Sequence, residues 1–275
     1  MNKEWTGEEK KSHAARLDSV SLYRKRMGGG APIIILHGMF GMSDNWYSIG
    51  KRLAERNTVI IPDARNHGRS PHTEEMNYPL MAADIYRLME EENIEKATLI
   101  GHSMGGKTVM QFLMDYPEHV EQLVVVDIAP RKYPPGHQMI LDAFKSVNLK
   151  VSSRQEIESQ LLKKVPTKAI AQFLMKNLKR SSDGYFSWKL NVSVIEKGYP
   201  ALIDAIKWNG EYPQPALLIK GAHSPYIKDS DVVAFKKVLP DSTLSVIEGA
   251  GHWVHAEQPE LFYRDVHHFI LKRKK

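Results

Sequence analysis

Residues Gly101-His102-Ser103-Met104-Gly105 hold a serine between two glycines. A serine at a sharp strand-to-helix turn is pushed out at the carboxyl edge of a sheet, and only small residues fit at the flanking positions. The pentapeptide alone is short enough to arise by chance, so its setting decides the reading. The preceding ATLI has the apolar, β-branched character of a strand, and the stretch from about Met104 to Asp115 has that of an amphipathic helix. Ser103 is therefore expected to be a nucleophile rather than an ordinary helix-capping serine. A serine hydroxyl is weak at its own pKa and needs a neighbouring base, most often histidine. Among 12 histidines, His252 stands out because its GAGH segment follows the last expected strand and opens onto the same sheet edge. His255 is the rival base, placed in the turn leading into a helix. The two lack a third ligand at suitable spacing, so no metal is expected. The base in turn needs a third group, usually a carboxylate, at its other ring nitrogen. LVVVDIAP, from Leu123 to Pro130, is an apolar run that stops on Asp127, a carboxylate that must reach water or be hydrogen-bonded. Asp229 and Asp231 are competing acids with the look of helix-start residues.

The elements that must position these groups alternate along the chain. VSLYRKRM reads as a strand, GGGA as a turn and PIIILHG as a buried strand running into a glycine loop. The three glycines precede a strand instead of opening a helix, which makes them a hairpin turn and not a phosphate loop. Asp44 is expected to cap a helix from Asn45 to Arg56, and NTVIIPD is the next strand. Asn77 is expected to cap another helix, whose Met81, Ile85, Leu88 and Met89 share one face. The strand and helix around Ser103 follow, then the strand VEQLVVVD. This rhythm predicts an α/β fold, a mostly parallel central sheet flanked by crossover helices. From about Arg131 to Gly210 helical patterns follow one another. PALLIKG then resumes the strands, followed by a polar helix from about Asp229, the strand STLSVIEGAGH and a last helix from about Glu257 to the end. The expected organisation is a core of residues 17–130 and 211–275, a helical cap at 131–210 inserted between two strands, and a polar N-terminal extension at 1–16.

Composition sets outer limits. A chain of 275 residues with 42% hydrophobic content suits one globular unit with a sizeable core. It has no cysteine, which excludes disulfides, thiolate metal sites and a cysteine nucleophile. No apolar run approaches the roughly 18 residues that would span a bilayer. The N-terminus mixes both charges without a hydrophobic stretch, so neither a membrane span nor a signal peptide is expected and the cytoplasm is the default compartment. The balance of 38 basic against 32 acidic residues gives +6, scattered except for the terminal KRKK, which is only a mild bias towards anionic partners. Without a recognition motif or interleaved aromatic and basic residues, no nucleic-acid partner is expected. Oligomeric state stays open.

Taken together, LHGMFGMSDNW, DARNHGRSP, GHSMGGK, VVVDIAP, GAHSPYI and GAGHWVHAEQP resemble the α/β-hydrolase family, and within it the small bacterial esterases of the YbfF type and their ABHD11-like mitochondrial relatives. The blocks run from residue 36 to about 260. In most of that family the acid follows the next-to-last strand, but here KGAHSPYI carries Ser224 where the aspartate usually stands. In this fold the ends of adjacent parallel strands lie side by side. The resemblance therefore implies Asp127 as the acid, with Ser224 near the same histidine.

Family geometry also implies backbone oxyanion donors at Met104 and Met39, typically contributing about 3 kcal/mol each. Phe40 is expected at the pocket mouth, with His37 and His102 as supporting residues. The segment DARNHGRS resembles a loop with a structural job, so His67 is left out of the catalytic set. The implied activity is hydrolysis of short to medium carboxylic esters through an acyl-enzyme, with no cofactor, and some members act on acyl-CoA thioesters. The insertion supplies Met139, Ile140, Phe144, Phe173, Leu174, Phe186 and Trp188, to be divided between an acyl pocket and the insertion's own core; Phe173 and Trp188 are the named pocket candidates. An acyl-CoA thioesterase, a ligand-binding receptor with negligible turnover, and a lyase or carbon–carbon hydrolase using the same serine set are the competing readings.

Overall fold

The computed structural model describes residues 18–182 and 184–272. The polar extension expected at 1–16 and the basic tail beyond Lys272 lie outside the described residues.

The sheet has seven strands: β1 (Arg24–Met27), β2 (Ala31–Leu36), β3 (Asn57–Pro62), β4 (Ala97–His102), β5 (Val120–Val126), β8 (Ala216–Gly221) and β9 (Ser242–Ile247), side by side in the order β1-β3-β2-β4-β5-β8-β9. β1 runs antiparallel to β3, and every other neighbouring pair is parallel. The pairing sets Leu36 opposite Gly101, His102 opposite Val126, Val126 opposite Ile219 and Gly221 opposite Ile247. The strands β2, β4, β5, β8 and β9 therefore finish together at one edge, and whatever follows them is gathered there.

Side chains alternate across the sheet, so each buried strand feeds two cores. One face puts Ile34, Leu99 and Val125 under α2 (Tyr78–Glu91) and α3 (Met104–Asp115). The other puts Ile33, Ile100 and Val124 against Trp46, α1 (Tyr47–Leu53) and α10 (Pro259–Leu271). Asn77 caps α2 by accepting from the Leu80 N–H at 3.0 Å, and Met81, Ile85, Leu88 and Met89 are all buried. The expected Asp44 cap does not form. Asp44 instead pairs with Lys25, the segment Ser43–Trp46 makes a 3₁₀ turn, and α1 begins only at Tyr47. The last helix starts earlier than expected, as α9 (Val254–Glu257), and breaks at Gln258, after which Pro259 opens α10.

Between β5 and β8 the chain builds α4 (Gln138–Ser146), α5 (Arg154–Leu162), α6 (Lys168–Met175) and α7 (Val192–Leu202), with a hairpin of β6 (Leu178–Arg180) and β7 (Phe186–Trp188) between α6 and α7. The hairpin departs from the all-helical expectation. Strands of three residues are too short to show a period of two, so their sequence carries no signal. Leu141, Ile157, Leu161, Leu174 and Ile195 are fully buried and join the α2–α3 core, so the insertion packs on the same side of the sheet as those helices.

Below the insertion, Arg65 and Asp84 form a bidentate ion pair with both contacts at 2.7 Å and side-chain exposures of 2% and 1%. Removing one partner from such a pair strands a buried charge. Arg65→Met should lower unfolding free energy by about 3–5 kcal/mol in urea titrations, whereas a loss below 1 kcal/mol would mean that water reaches Asp84.

Candidate active site

Ser103 connects β4 to α3 with φ +52° and ψ −116°, a left-handed conformation that a serine occupies only under constraint. The flanking glycines supply it. A Cβ on Gly101 would stand 2.2 Å from the Gly105 carbonyl oxygen, and one on Gly105 would stand 2.5 Å from that of Leu36. The first turn of α3 is thus pressed onto β2 and β4, and the half-buried Ser103 is lifted above the strand ends.

Asp127 follows β5, also with positive φ (+49°), and has no exposed surface. Its own N–H extends the ladder to the Ile219 carbonyl at 2.8 Å. Its Oδ1 accepts from the Gly221 N–H at 3.0 Å, and its Oδ2 accepts from the Ser224 hydroxyl and from His252 Nδ1, the latter at 2.8 Å. His252 comes from the loop after β9, and Tyr226 stacks on its ring with centroids 3.8 Å apart. His102 Nε2 donates to the His252 carbonyl at 2.8 Å, holding that loop against the turn that carries Ser103. The competing acids are elsewhere: Asp231 accepts from Arg131 Nε at 3.1 Å and from the Lys228 N–H at 2.9 Å, and Asp229 is exposed at the start of α8 (Asp229–Val238).

The loop after β2 is closed by the Gly41 N–H donating to the Gly38 carbonyl at 3.0 Å, with Phe40 at φ +63°. Neutral histidines hold it. His37 Nδ1 donates to the Gly38 carbonyl at 2.8 Å while its Nε2 accepts from the Ala64 N–H at 2.9 Å. His67 Nδ1 donates to the Arg65 carbonyl at 3.0 Å while its Nε2 accepts from the Phe40 N–H at 3.2 Å. Each ring needs one bare nitrogen for this, so a proton on either would break a bond. Phe40 is 2% exposed and belongs to the cavity wall, not the mouth; its carbonyl accepts from the Asn177 side chain in the insertion at 2.8 Å.

Two cavities meet at Ser103. One, of about 360 Å³, is lined by His252, Trp253, His255, Ile140 and Phe173 among others. The second, of about 370 Å³, runs under the insertion past Met104, Lys107, Tyr133 and Leu202. Met39, Ser103 and His137 border both. Phe173 reaches the first cavity and packs on Trp253 at 5.6 Å. Trp188 is different: its indole N–H donates to the Phe144 carbonyl at 3.0 Å and its ring meets Phe144 edge-on, so it packs within the insertion, away from both cavities. Phe144, Leu174 and Phe186 are buried in that same packing, and Met139 is exposed.

Tyr226, His137 and Asn177 touch this region without having been singled out from the sequence. Tyr226 sits in the quoted GAHSPYI block, but its stacking on His252 depends on the fold, and Asn177 carries no local signal at all. Among the described residues, no group of three or more His, Asp or Glu side chains is arranged to hold a metal ion.

Residues 31–259 match the α/β hydrolase fold family. The chain is 37% identical over 273 residues to the sn-1-specific diacylglycerol lipase ABHD11 of Xenopus tropicalis, spanning 95% of this chain and 85% of that protein. It is 36% identical over 242 residues to the esterase YbfF of Escherichia coli, spanning 87% and 93% of the two chains. Among solved structures, a marine microorganism esterase superposes with a TM-score of 0.89 at 40% identity, covering 91% of this chain and all of that one. No helix among the described residues is long and apolar enough to cross a membrane.

The buried histidines make a testable demand on pH. Burial pushes His67 and His255 down to about 3 and His137 to about 4, and lowers His37 and His102 as well. Each binds fewer protons folded than unfolded below pH 6.5. Their stabilisation is thus complete above about 6.5 and is lost as pH falls towards 3. For His255, stacked on Trp46 at 3.8 Å, the loss between pH 7 and pH 5 should be about 2 kcal/mol. His255→Phe should keep the stack and flatten the pH dependence of unfolding by that amount; an unchanged slope would place the acid sensitivity elsewhere.

Proposed function

That the chain belongs to the α/β-hydrolase fold family is the premise from which we propose that it cleaves carboxylic esters of short to medium acyl chains through an acyl-enzyme on Ser103. The observation that carries the proposal is the 2.8 Å bond from His252 Nδ1 to a fully buried Asp127, on a histidine that borders the same cavity as the strained serine. With Nδ1 committed to the carboxylate, Nε2 is the free basic nitrogen of the neutral ring.

In the reaction, Ser103 Oγ attacks the ester carbonyl while His252 Nε2 takes its proton. The carbonyl oxygen becomes an oxyanion, met by the backbone N–H groups of Met104, at the start of α3, and Met39 in the loop after β2. The tetrahedral intermediate collapses, His252 protonates the departing alkoxide, and the alcohol leaves. Water, deprotonated by the same nitrogen, then attacks the acyl carbonyl; the second tetrahedral intermediate breaks its bond to Ser103 Oγ, which takes the proton back from His252, and the acid is freed. Asp127 keeps the imidazole in one tautomer and stabilises its protonated form, while Ser224 and the Gly221 N–H hold the carboxylate in place. His37, His102 and Phe40 support this arrangement from the loops. In this reading residues 17–130 and 211–275 carry the reacting groups, and residues 131–210 form a cap that walls the acyl and alcohol sites. The names of the relatives, an esterase and a lipase, favour an oxygen ester over a thioester.

Ser103→Ala should abolish turnover of p-nitrophenyl butyrate. Asp127→Asn should cut kcat by about 10⁴, whereas Asp229→Asn should stay within about twofold of wild type, as expected for an exposed surface change. A dead Asp229→Asn beside an active Asp127→Asn would assign the acid to the wrong strand. Acyl chains matched as ester and as CoA thioester, compared by kcat/KM, test the leaving group. Absence of multiple turnover on every ester would favour a receptor.

A further inference from the structure

Lys107 lies one helical turn beyond Ser103 on α3, and its N–H donates to the Ser103 carbonyl at 3.1 Å. It is a charged side chain with 1% exposure and, among the described residues, no carboxylate within ion-pairing distance. Its ammonium donates to the Arg131 carbonyl at 2.9 Å and to the Asp204 carbonyl, over the Tyr133 ring at 4.9 Å. Arg131 is where the insertion leaves the core, and Asp204 lies just past α7, where it returns. These two segments are also paired with each other, through the Tyr133 N–H to the Ile203 carbonyl at 2.8 Å and the Ile206 N–H to the Pro130 carbonyl at 2.7 Å. One buried cation thus ties both ends of the insertion to the helix that carries the nucleophile.

The same residues wall the second cavity, which Lys107, Tyr133, Leu202 and Ile203 line. Its use follows from proton transfer. His252 must protonate the leaving oxygen, so the alcohol departs on the side of His252, Trp253 and His255, which is the first cavity. The acyl group, still bonded to Ser103, is left with the second.

Resting on the acyl-enzyme reading above, we propose that Lys107 is a positioning residue that fixes the dimensions of the acyl chamber, and with them acyl-chain selectivity, by clamping both ends of the insertion onto α3. A neutral donor there would satisfy the two carbonyls more weakly, because an ammonium makes shorter and stronger hydrogen bonds. Burial brings Lys107 down to about 8, with Asp204 opposing the shift and Arg131 adding to it. The other groups that face it are two phenols, a guanidinium and a carboxylate. Burial raises Tyr78 and Tyr133, Arg131 is paired with Asp231, and the Asp204 carboxylate faces Lys132 at 3.9 Å. The clamp should therefore weaken as pH rises through about 8.

The test compares kcat/KM for p-nitrophenyl acetate and octanoate, with the released acid measured by chromatography. In Lys107→Met at pH 7, two half-buried carbonyls lose their donor and the octanoate-to-acetate ratio should fall about tenfold. In the wild type the ratio should drift towards the variant's value between pH 7 and pH 9, while the variant's ratio stays constant. A lysine with a merely structural role would lower both esters in parallel and leave the ratio independent of pH. A ratio that does not move in either comparison overturns the proposal. Should Lys107→Met fail to fold, the wild-type pH series alone decides. Ser103→Ala keeps the two readings apart: residual turnover there would count against the acyl-enzyme, whereas the ratio bears only on the clamp.

Discussion

The arrangement depends on one steric constraint, the contact of the first turn of α3 with the ends of β2 and β4. Gly101 and Gly105 sit where a methyl group would collide with backbone oxygens at 2.2 and 2.5 Å, and Ser103 between them takes φ +52°. Local strain of this kind persists only when the surroundings over-determine it. Here the buried strands and the helices packed on both faces hold the turn closed. The same closeness brings His102 within reach of the His252 carbonyl and sets Lys107 beneath the two hinge segments of the insertion.

Close to that turn, the buried carboxylate is matched by a full set of donors. Asp127 accepts from a backbone N–H, a hydroxyl and an imidazole, contacts that offset the cost of removing a carboxylate from water. Two of those partners, Gly221 and Ser224, come from the end of the neighbouring strand β8 and the loop after it. A carboxylate after β5 meets groups after β8 because the parallel register ends both strands at one level.

Histidines do two kinds of work in this region. In the proposed mechanism His252 cycles its proton, whereas His37 and His67 serve as neutral struts, each donating from one nitrogen and accepting at the other to join the loops after β2 and β3. Burial keeps them unprotonated at neutral pH, so the struts do not compete with the base for protons. The insertion reaches the same loop through Asn177 and the Phe40 carbonyl, and reaches α3 through Lys107. Further bonds join it to the core, from the Asn191 N–H to the Asn66 carbonyl at 3.0 Å and from the Tyr78 hydroxyl to the Leu202 carbonyl at 2.6 Å.

Sequence by itself determined the α/β alternation, the strands around Ser103, Asp127 and His252, and the Asn77 cap, because each rests on a local signal: a period, a glycine pair, a capping side chain. It also raised Ser224 by its place in a motif. It misplaced the start of α1, where Lys25 from a distant strand takes the Asp44 carboxylate, and it was blind to the β6–β7 hairpin, whose strands are too short to show a period. Trp188 and Phe173 are both large apolar residues of the insertion, and nothing in their order along the chain says that one finds a carbonyl inside the insertion while the other faces a cavity. Tertiary structure alone decided that, together with the partners of Lys107 and Asn177. Their bonds join residues from about 24 to 137 positions apart, and a contact between distant segments exists only once the whole chain has packed.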